Sequence, residues 1–165
     1  VATVGGGTFD RFILVVGCHM PELDDSIYAK VRELCERGDS LADDGHLAEA
    51  LQAFWAAWEL LPEPRTAWAA ATWILAAIGD VNFQQGDFRA GRDNLATAMH
   101  CPDAIGNPFL HLRLGQCQFE LGNLDRAADE LARARLLGGP ELFAEDDPKY
   151  LDFIMSRLEE PPGGW

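Results

Sequence analysis

The residues of this chain with the widest chemical reach are its four histidines and four cysteines. His100 adjoins Cys101, and His111 and Cys117 follow in one short segment, a donor set of the kind that holds zinc. On a helix, however, His111 and Cys117 are six apart and point to different faces, so the set does not converge. Cys18, Cys35, Cys101 and Cys117 contain no Cys-x-x-Cys pair. Neither a disulfide framework nor a zinc ribbon is signalled, and free thiols are the expectation. His19 and His46 stand apart from the others, and no His-Glu-x-x-His, Gly-x-Ser-x-Gly or phosphate-loop motif occurs. Gly5-Gly6-Gly7 lacks the Lys-Ser/Thr a phosphate loop requires. The acid pairs Asp24-Asp25, Asp43-Asp44 and Asp146-Asp147 read as helix caps near helix starts, not as acid/base pairs. No catalytic residue, metal or cofactor is expected, and the chain is not read as an enzyme.

Charge narrows the partners. With 27 Asp and Glu against 13 Lys and Arg, the formal net charge is -14. Such a field repels phosphate backbones and anionic membrane surfaces, which are bound through Lys and Arg. Nucleic acid and membrane are therefore not expected partners, whereas a basic protein would be drawn in. Solubility alone is the competing explanation of the charge. The apolar run Phe12 to Val16 is far shorter than the ~20 residues that span a bilayer. It also lacks the basic flank of a secretory signal, so a cytoplasmic protein is expected.

At 165 residues one domain is expected, and 48% hydrophobic residues give it a core. Residues 1–20 read apart from the rest, as an extension of open origin. His19-Met20 resembles the junction that expression vectors leave before a native start. Phe9 to Val16, however, has the β-propensity of a natural arm or of a foreign peptide lodged against the domain. From residue 21 to 160 the pattern is helical. Ile27, Val31, Leu34 and Leu41, then Leu47, Leu51, Phe54 and Trp58, recur at three- and four-residue steps. Turn chemistry interrupts them at Asp43-Asp44-Gly45, Pro62-Glu63-Pro64, Gln85-Gly86-Asp87, Cys101-Pro102-Asp103, Gly106-Asn107-Pro108, Leu121-Gly122-Asn123 and Gly138-Gly139-Pro140. Asp147-Pro148 opens a last helix, read as reaching Glu159, with Tyr150, Leu151, Ile154 and Leu158 on one stripe. Residues 161–165 read as a flexible tail. The expected class is all-α.

The helices repeat. Gly38, Gly79 and Gly115 each precede a second glycine by seven residues, namely Gly45, Gly86 and Gly122. A small residue follows at Ala50, Gly91 and Ala127, then a large one at Phe54, Leu95 and Leu131, then Ala57, Ala98 and Ala134. Close approach of two antiparallel helices needs small side chains at the crossing, which accounts for the first glycine and the Ala or Gly. The second glycine permits the left-handed turn that ends the first helix.

This pattern resembles the tetratricopeptide repeat, over nearly everything from Ile27 to Pro140. The resemblance implies three helix-turn-helix units in a superhelix, closed by a capping helix from Pro148. It departs from the family where the favoured Trp is replaced by Leu34, Leu75 and His111, and the favoured Tyr by Leu41, Asn82 and Gln118. The second unit is expected to have a longer first helix, extended by Thr66 to Trp73, and the loop from Cys101 to Pro108 is enlarged.

Members of the family bind peptides or partner helices on the concave surface lined by first helices. Carried over by the glycine alignment, that surface comprises Arg32, Cys35, Asp39, Ala42 and Asp43 in unit one. Unit two contributes Trp73, Ala76, Asp80, Phe83 and Gln84, and unit three Phe109, Leu112, Gln116, Phe119 and Glu120. Chaperone-type members clamp a peptide carboxylate with lysines and asparagines, which are absent at these positions. Aromatic anchors among carboxylates suit a basic partner; the plainer reading makes Trp73, Phe83 and Phe119 core residues. The expected function is protein binding, with an immunity or inhibitor role against a basic toxin or effector favoured. A secretion or assembly chaperone holding a client peptide is the alternative. A metal-dependent regulator using His100, Cys101, His111 and Cys117 is a third reading.

Overall fold

The computed structural model describes residues 22–158. The extension at 1–20 and the tail at 161–165 lie outside the described residues. Among the described residues seven α-helices follow one another: α1 (Asp25–Asp43), α2 (Leu47–Glu59), α3 (Ala69–Gln84), α4 (Phe88–Ala98), α5 (Pro108–Glu120), α6 (Leu124–Gly138) and α7 (Pro148–Met155). There is no strand among the described residues. The chain is all-α, with three helix pairs and a closing helix.

The glycine alignment has a direct steric cause. A Cβ placed on Gly38 would lie 2.6 Å from the Phe54 ring, and one on Gly115 would lie 2.7 Å from Leu131. Gly79 stands against Leu95 in the same way. Each first helix therefore touches its partner where the sequence puts its large residue, and all three large residues are buried. Ala57, Ala98 and Ala134 are fully buried behind them. The second glycines end the first helices by one repeated device. Gly45, Gly86 and Gly122 have φ of 80, 77 and 76°, a region only glycine enters without strain. The next residue's N–H then reaches back to the last turn, from His46 to Leu41, Asp87 to Asn82 and Asn123 to Gln118.

Helix starts divide the acid pairs. Asp24 caps α1 by accepting from the Ser26 N–H at 2.9 Å, and Asp147 caps α7 by accepting from Lys149 at 3.0 Å. Asp43 and Asp44 are not at a helix start: they are the last residue and C-cap of α1. The turn at Gly45 delays α2 to Leu47 and leaves His46 at its N-cap position without a side-chain bond. Asp146 caps nothing and turns inward instead, as described below.

Two element boundaries differ from expectation. Thr66 and Ala67 do not extend the first helix of unit two; Arg65–Ala67 is a separate 3-10 turn and α3 starts at Ala69. Trp68 between them is extended, its indole N–H donating to the Pro62 carbonyl at 2.7 Å, and this hold breaks the helix. The closing helix stops at Met155, and Ser156 to Leu158 are turns. There the Ser156 hydroxyl bonds the Phe153 carbonyl at 2.6 Å, a local alternative to continuing the helix.

Within each unit the two helices pack along each other, and α2–α3 and α4–α5 contacts join the units. The first helices also meet, α1 with α3 and α3 with α5, whereas α2 with α4 and α4 with α6 meet weakly or not at all. The first helices thus form the inner layer of a curved stack. Its main core runs from Val31 through Ile74, Ile78 and Leu95 to Leu110. A second core at the far end joins Leu112 and Leu131 to Phe143, Tyr150 and Ile154.

Candidate functional site

The inner face is chemically divided along its length. At the α5 end its centre is Arg113, a residue absent from the glycine-aligned set. Its Nε lies 2.5 Å from Asp80 Oδ1 on α3, and a second guanidinium nitrogen lies 2.6 Å from Asp146 Oδ1 before α7. The same nitrogen donates to Gln116 Oε1 at 2.7 Å. The guanidinium also stacks over Phe83 at 4.7 Å and Phe109 at 5.4 Å from the ring centres. Burial would lower the pKa of Arg113, but Asp80 and Asp146 more than offset this and hold it above its usual value. The cation is fixed there. Its side chain is 14% exposed, so little of it is left for a ligand.

Helix α7 closes the same end. Tyr150 packs against Phe83 at 6.3 Å and edge-on against Phe119 at 5.5 Å, and Phe153 packs on Phe119 at 5.0 Å. The Tyr150 hydroxyl donates to Glu120 Oε1 at 2.6 Å, and Lys149 Nζ lies 2.7 Å from that oxygen. Burial alone would raise the pKa of Glu120, but the bonds from Lys149 and Tyr150 hold it below the usual carboxylate range. Burial and the neighbouring Glu120 carboxylate push the Tyr150 phenol up.

The predicted residues therefore separate into groups. Asp80, Phe83, Phe109, Gln116, Phe119 and Glu120 are brought together, but around Arg113 and α7 of the chain itself. Gln116 is fully buried and its Nε2 has no hydrogen-bond acceptor, so it is not an accessible contact. Cys35, Ala76 and Leu112 are likewise buried core residues. Gln84 is exposed and donates to Asp80 Oδ2 at 2.8 Å.

The α1 end is open by comparison. Arg32 is exposed and pairs loosely with Glu36 at 3.3 Å, one helical turn on. Asp39 and Trp73 are half-buried and each already makes an interaction, so a ligand there competes with contacts in place. Asp43 is exposed at the end of α1, whose last turn carries no basic residue.

The candidate metal donors have other occupations. His111 is buried, with Nδ1 2.5 Å from Glu130 Oε2 and Nε2 2.7 Å from the Ile105 carbonyl oxygen. Both neighbours can accept, so protonation of both ring nitrogens would satisfy both contacts. The Glu130 bond is the main cause that raises its pKa, against the opposing effect of burial. His111 thus joins α5, α6 and the Cys101–Pro108 loop from the place where the family favours Trp. Burial pushes the Cys117 thiol up to about 12, and raises Cys35 and Cys101 as well. Among the described residues no three His, Cys, Asp or Glu side chains converge as a metal site. No described helix is long and apolar enough to cross a membrane.

Arg113 was legible from spacing. Phe109, Arg113, Gln116 and Glu120 follow at steps of four, three and four, which is one face of a helix. The glycine alignment carried the residues on either side and passed over it.

No protein-family model matches the sequence, and no curated protein matches it. Solved structures do. The first TPR of Spaghetti (RPAP3), bound to an HSP90 peptide, superposes with a TM-score of 0.61 at 15% identity, covering 78% of this chain and 90% of that one. The Yersinia enterocolitica type III secretion chaperone SycD, in complex with a peptide of the translocator YopD, gives 0.61 at 16%, covering 81% and 93%. PcrH of Pseudomonas aeruginosa gives 0.62 at 17%, covering 84% and 97%. The chain has the tetratricopeptide-repeat fold.

Proposed function

We propose that this chain is a protein-binding module that holds a basic segment of its partner against α1 and α3 on the inner face. Binding, not catalysis, is its activity. The observation that carries this reading is the charge division of that face. At α5 and α7 the carboxylates are already matched by Arg113 and Lys149 of the chain. At the end of α1, Asp43 and Asp44 face the negative end of the helix dipole with no cation in the last turn. A carboxylate in that position costs about 0.3–1 kcal/mol, which a partner's Lys or Arg would relieve. Trp73, half-buried near the start of α3, supplies an aromatic anchor on the same face.

Two finer readings remain, each supported by a different observation. A client-holding chaperone is supported by the likeness to SycD with its translocator peptide. An immunity or inhibitor protein is supported by the net charge of -14, which speeds encounter with a basic toxin or effector. Capture from the source cells with the native chain and with the Asp39→Lys/Asp43→Lys variant tests the common part. A partner with a basic segment, kept by the native chain and lost by the variant, is expected. A partner kept equally by both would overturn the reading. Binding of the captured partner's isolated peptides would then favour the chaperone, and binding of its folded domain alone the inhibitor.

A further inference from the structure

Helix α7 is joined to the inner face through side chains of the kind a bound peptide would use. Its approach and first turn supply the Asp146 carboxylate to Arg113 at 2.6 Å and the Lys149 ammonium to Glu120 at 2.7 Å. The Tyr150 hydroxyl donates to Glu120 at 2.6 Å. The receiving groups on α3 and α5 form one connected patch. Arg113 stacks on Phe83, Phe83 and Phe119 both meet the Tyr150 ring, and Glu120 binds its hydroxyl. Asp146 and Tyr150, four residues apart, are thus the two anchors. The patch has one donor to spare. Fully buried Gln116 accepts at Oε1 from the guanidinium nitrogen that also binds Asp146, and its Nε2 donates to nothing.

Eight residues are too few for a helix that stands alone in water, where about 12–15 are needed, so α7 depends on its seat. The stack depends less on α7. Tyr150 and Ile154 belong to the second core, which shares no buried residue with the main core, and half-buried Phe83 packs against both. The link into α7 is exposed at Ala144 and Glu145, directly after buried Phe143. Arg113 keeps Asp80 when Asp146 leaves. Opening at Ala144 and Glu145 therefore frees the patch without breaking the main core or orphaning its cation.

We propose that Asp146 to Tyr150 are an exchangeable internal ligand, and that α7 gives up its seat to a partner protein segment carrying a carboxylate and, four residues on, a tyrosine. Such a segment replaces each anchor in kind. Its carboxylate takes Arg113 and the unused Gln116 donor, and its phenol takes Phe83, Phe119 and Glu120. Being tethered, α7 competes at roughly millimolar effective concentration, so a short free peptide binds the native chain only weakly. The proposal stands apart from the basic-segment reading of α1 and α3, which capture with the Asp39→Lys/Asp43→Lys variant decides.

Two measurements on the full chain test it. In native-state hydrogen exchange, the Ile154 amide of α7 should exchange at least about 100-fold faster than the Leu75 amide of α3, because α7 opens without global unfolding. Gly79→Ala should lower the protection of Leu75 and leave that of Ile154 unchanged. Equal protection at both amides, falling together in Gly79→Ala, would overturn the proposal. The second measurement follows the fluorescence anisotropy of a labelled peptide of residues 145–155. It should bind the Tyr150→Ala chain, whose internal ligand is weakened, at least about ten-fold more tightly than the native chain. The same peptide carrying Asp146→Ala and Tyr150→Ala should not bind. Equal binding to both chains, equal binding of both peptides, or a Tyr150→Ala chain that has lost its helical circular dichroism would each overturn the exchange.

Discussion

The two ends of the inner face are built from the same repeat and carry opposite electrostatic arrangements. At the α5 end, Asp80, Asp146 and Glu120 are each within bonding distance of a cation, and α7 lays Tyr150 and Phe153 over the aromatic side chains. At the α1 end, Asp43 and Asp44 crowd a helix terminus that already carries negative partial charge. The contrast separates carboxylates that hold the stack together from carboxylates that the stack does not need. A buried charge kept with its partners is costly to orphan, and an exposed one costs little to change.

The largest expected effect is therefore at Arg113. Arg113→Ala leaves Asp80 and Asp146 facing each other without their cation, and about 3–5 kcal/mol of stability should go, read from urea unfolding. A loss below about 1 kcal/mol would mean that Asp80 and Asp146 do not depend on their cation. Next is Gly79→Ala, which drives a methyl group into Leu95 and should cost about 1–3 kcal/mol. That loss tests the helix crossing shared by all units, independently of either end.

A smaller effect distinguishes the third unit from the other two. His111 has its folded pKa raised above its ordinary 6.5 by Glu130, so the unfolded chain binds fewer protons than the native one through this range. Its contribution is fully present below 6.5 and is lost as pH rises through the folded value. Unfolding midpoints should fall across that window, and His111→Gln should flatten the dependence. An unaltered slope in the variant would assign the pH effect elsewhere. Smallest is Asp43→Lys, which should alter stability by no more than about 0.5 kcal/mol, and in the favourable direction. A large loss would show that the α1 end is structural too.

How much of this could be read from sequence depends on the distance over which each cause acts. The crossing glycines and the turn glycines act within one helix pair, so their spacing reported both contacts. The acids at Asp43 and Asp44 were misplaced because two residues and a left-handed turn decide whether an acid ends one helix or begins the next. Thr66 and Ala67 were assigned to α3 because the bond from Trp68 to Pro62 has no periodic signal. At the site, the glycine offsets found Asp80, Phe83, Phe119 and Glu120 but not what they bind. Arg113 bonds Asp80 from 33 residues on and Tyr150 bonds Glu120 from 30 residues on, and no local pattern reports such contacts. The inward seat of α7 was invisible for the same reason: a capping helix and a groove-closing helix have the same amphipathic stripe.

The most direct measurement of the divided face is the chemistry of what binds it. Peptides should be selected from a random 12-residue display library on the full chain, and their affinities measured for the native protein and for the Asp39→Lys/Asp43→Lys variant. The account predicts selected peptides rich in Lys or Arg with an aromatic residue, binding at least about ten-fold more weakly to the variant, a difference of about 1.4 kcal/mol. Acidic peptides, or basic ones that bind both proteins equally, would contradict it.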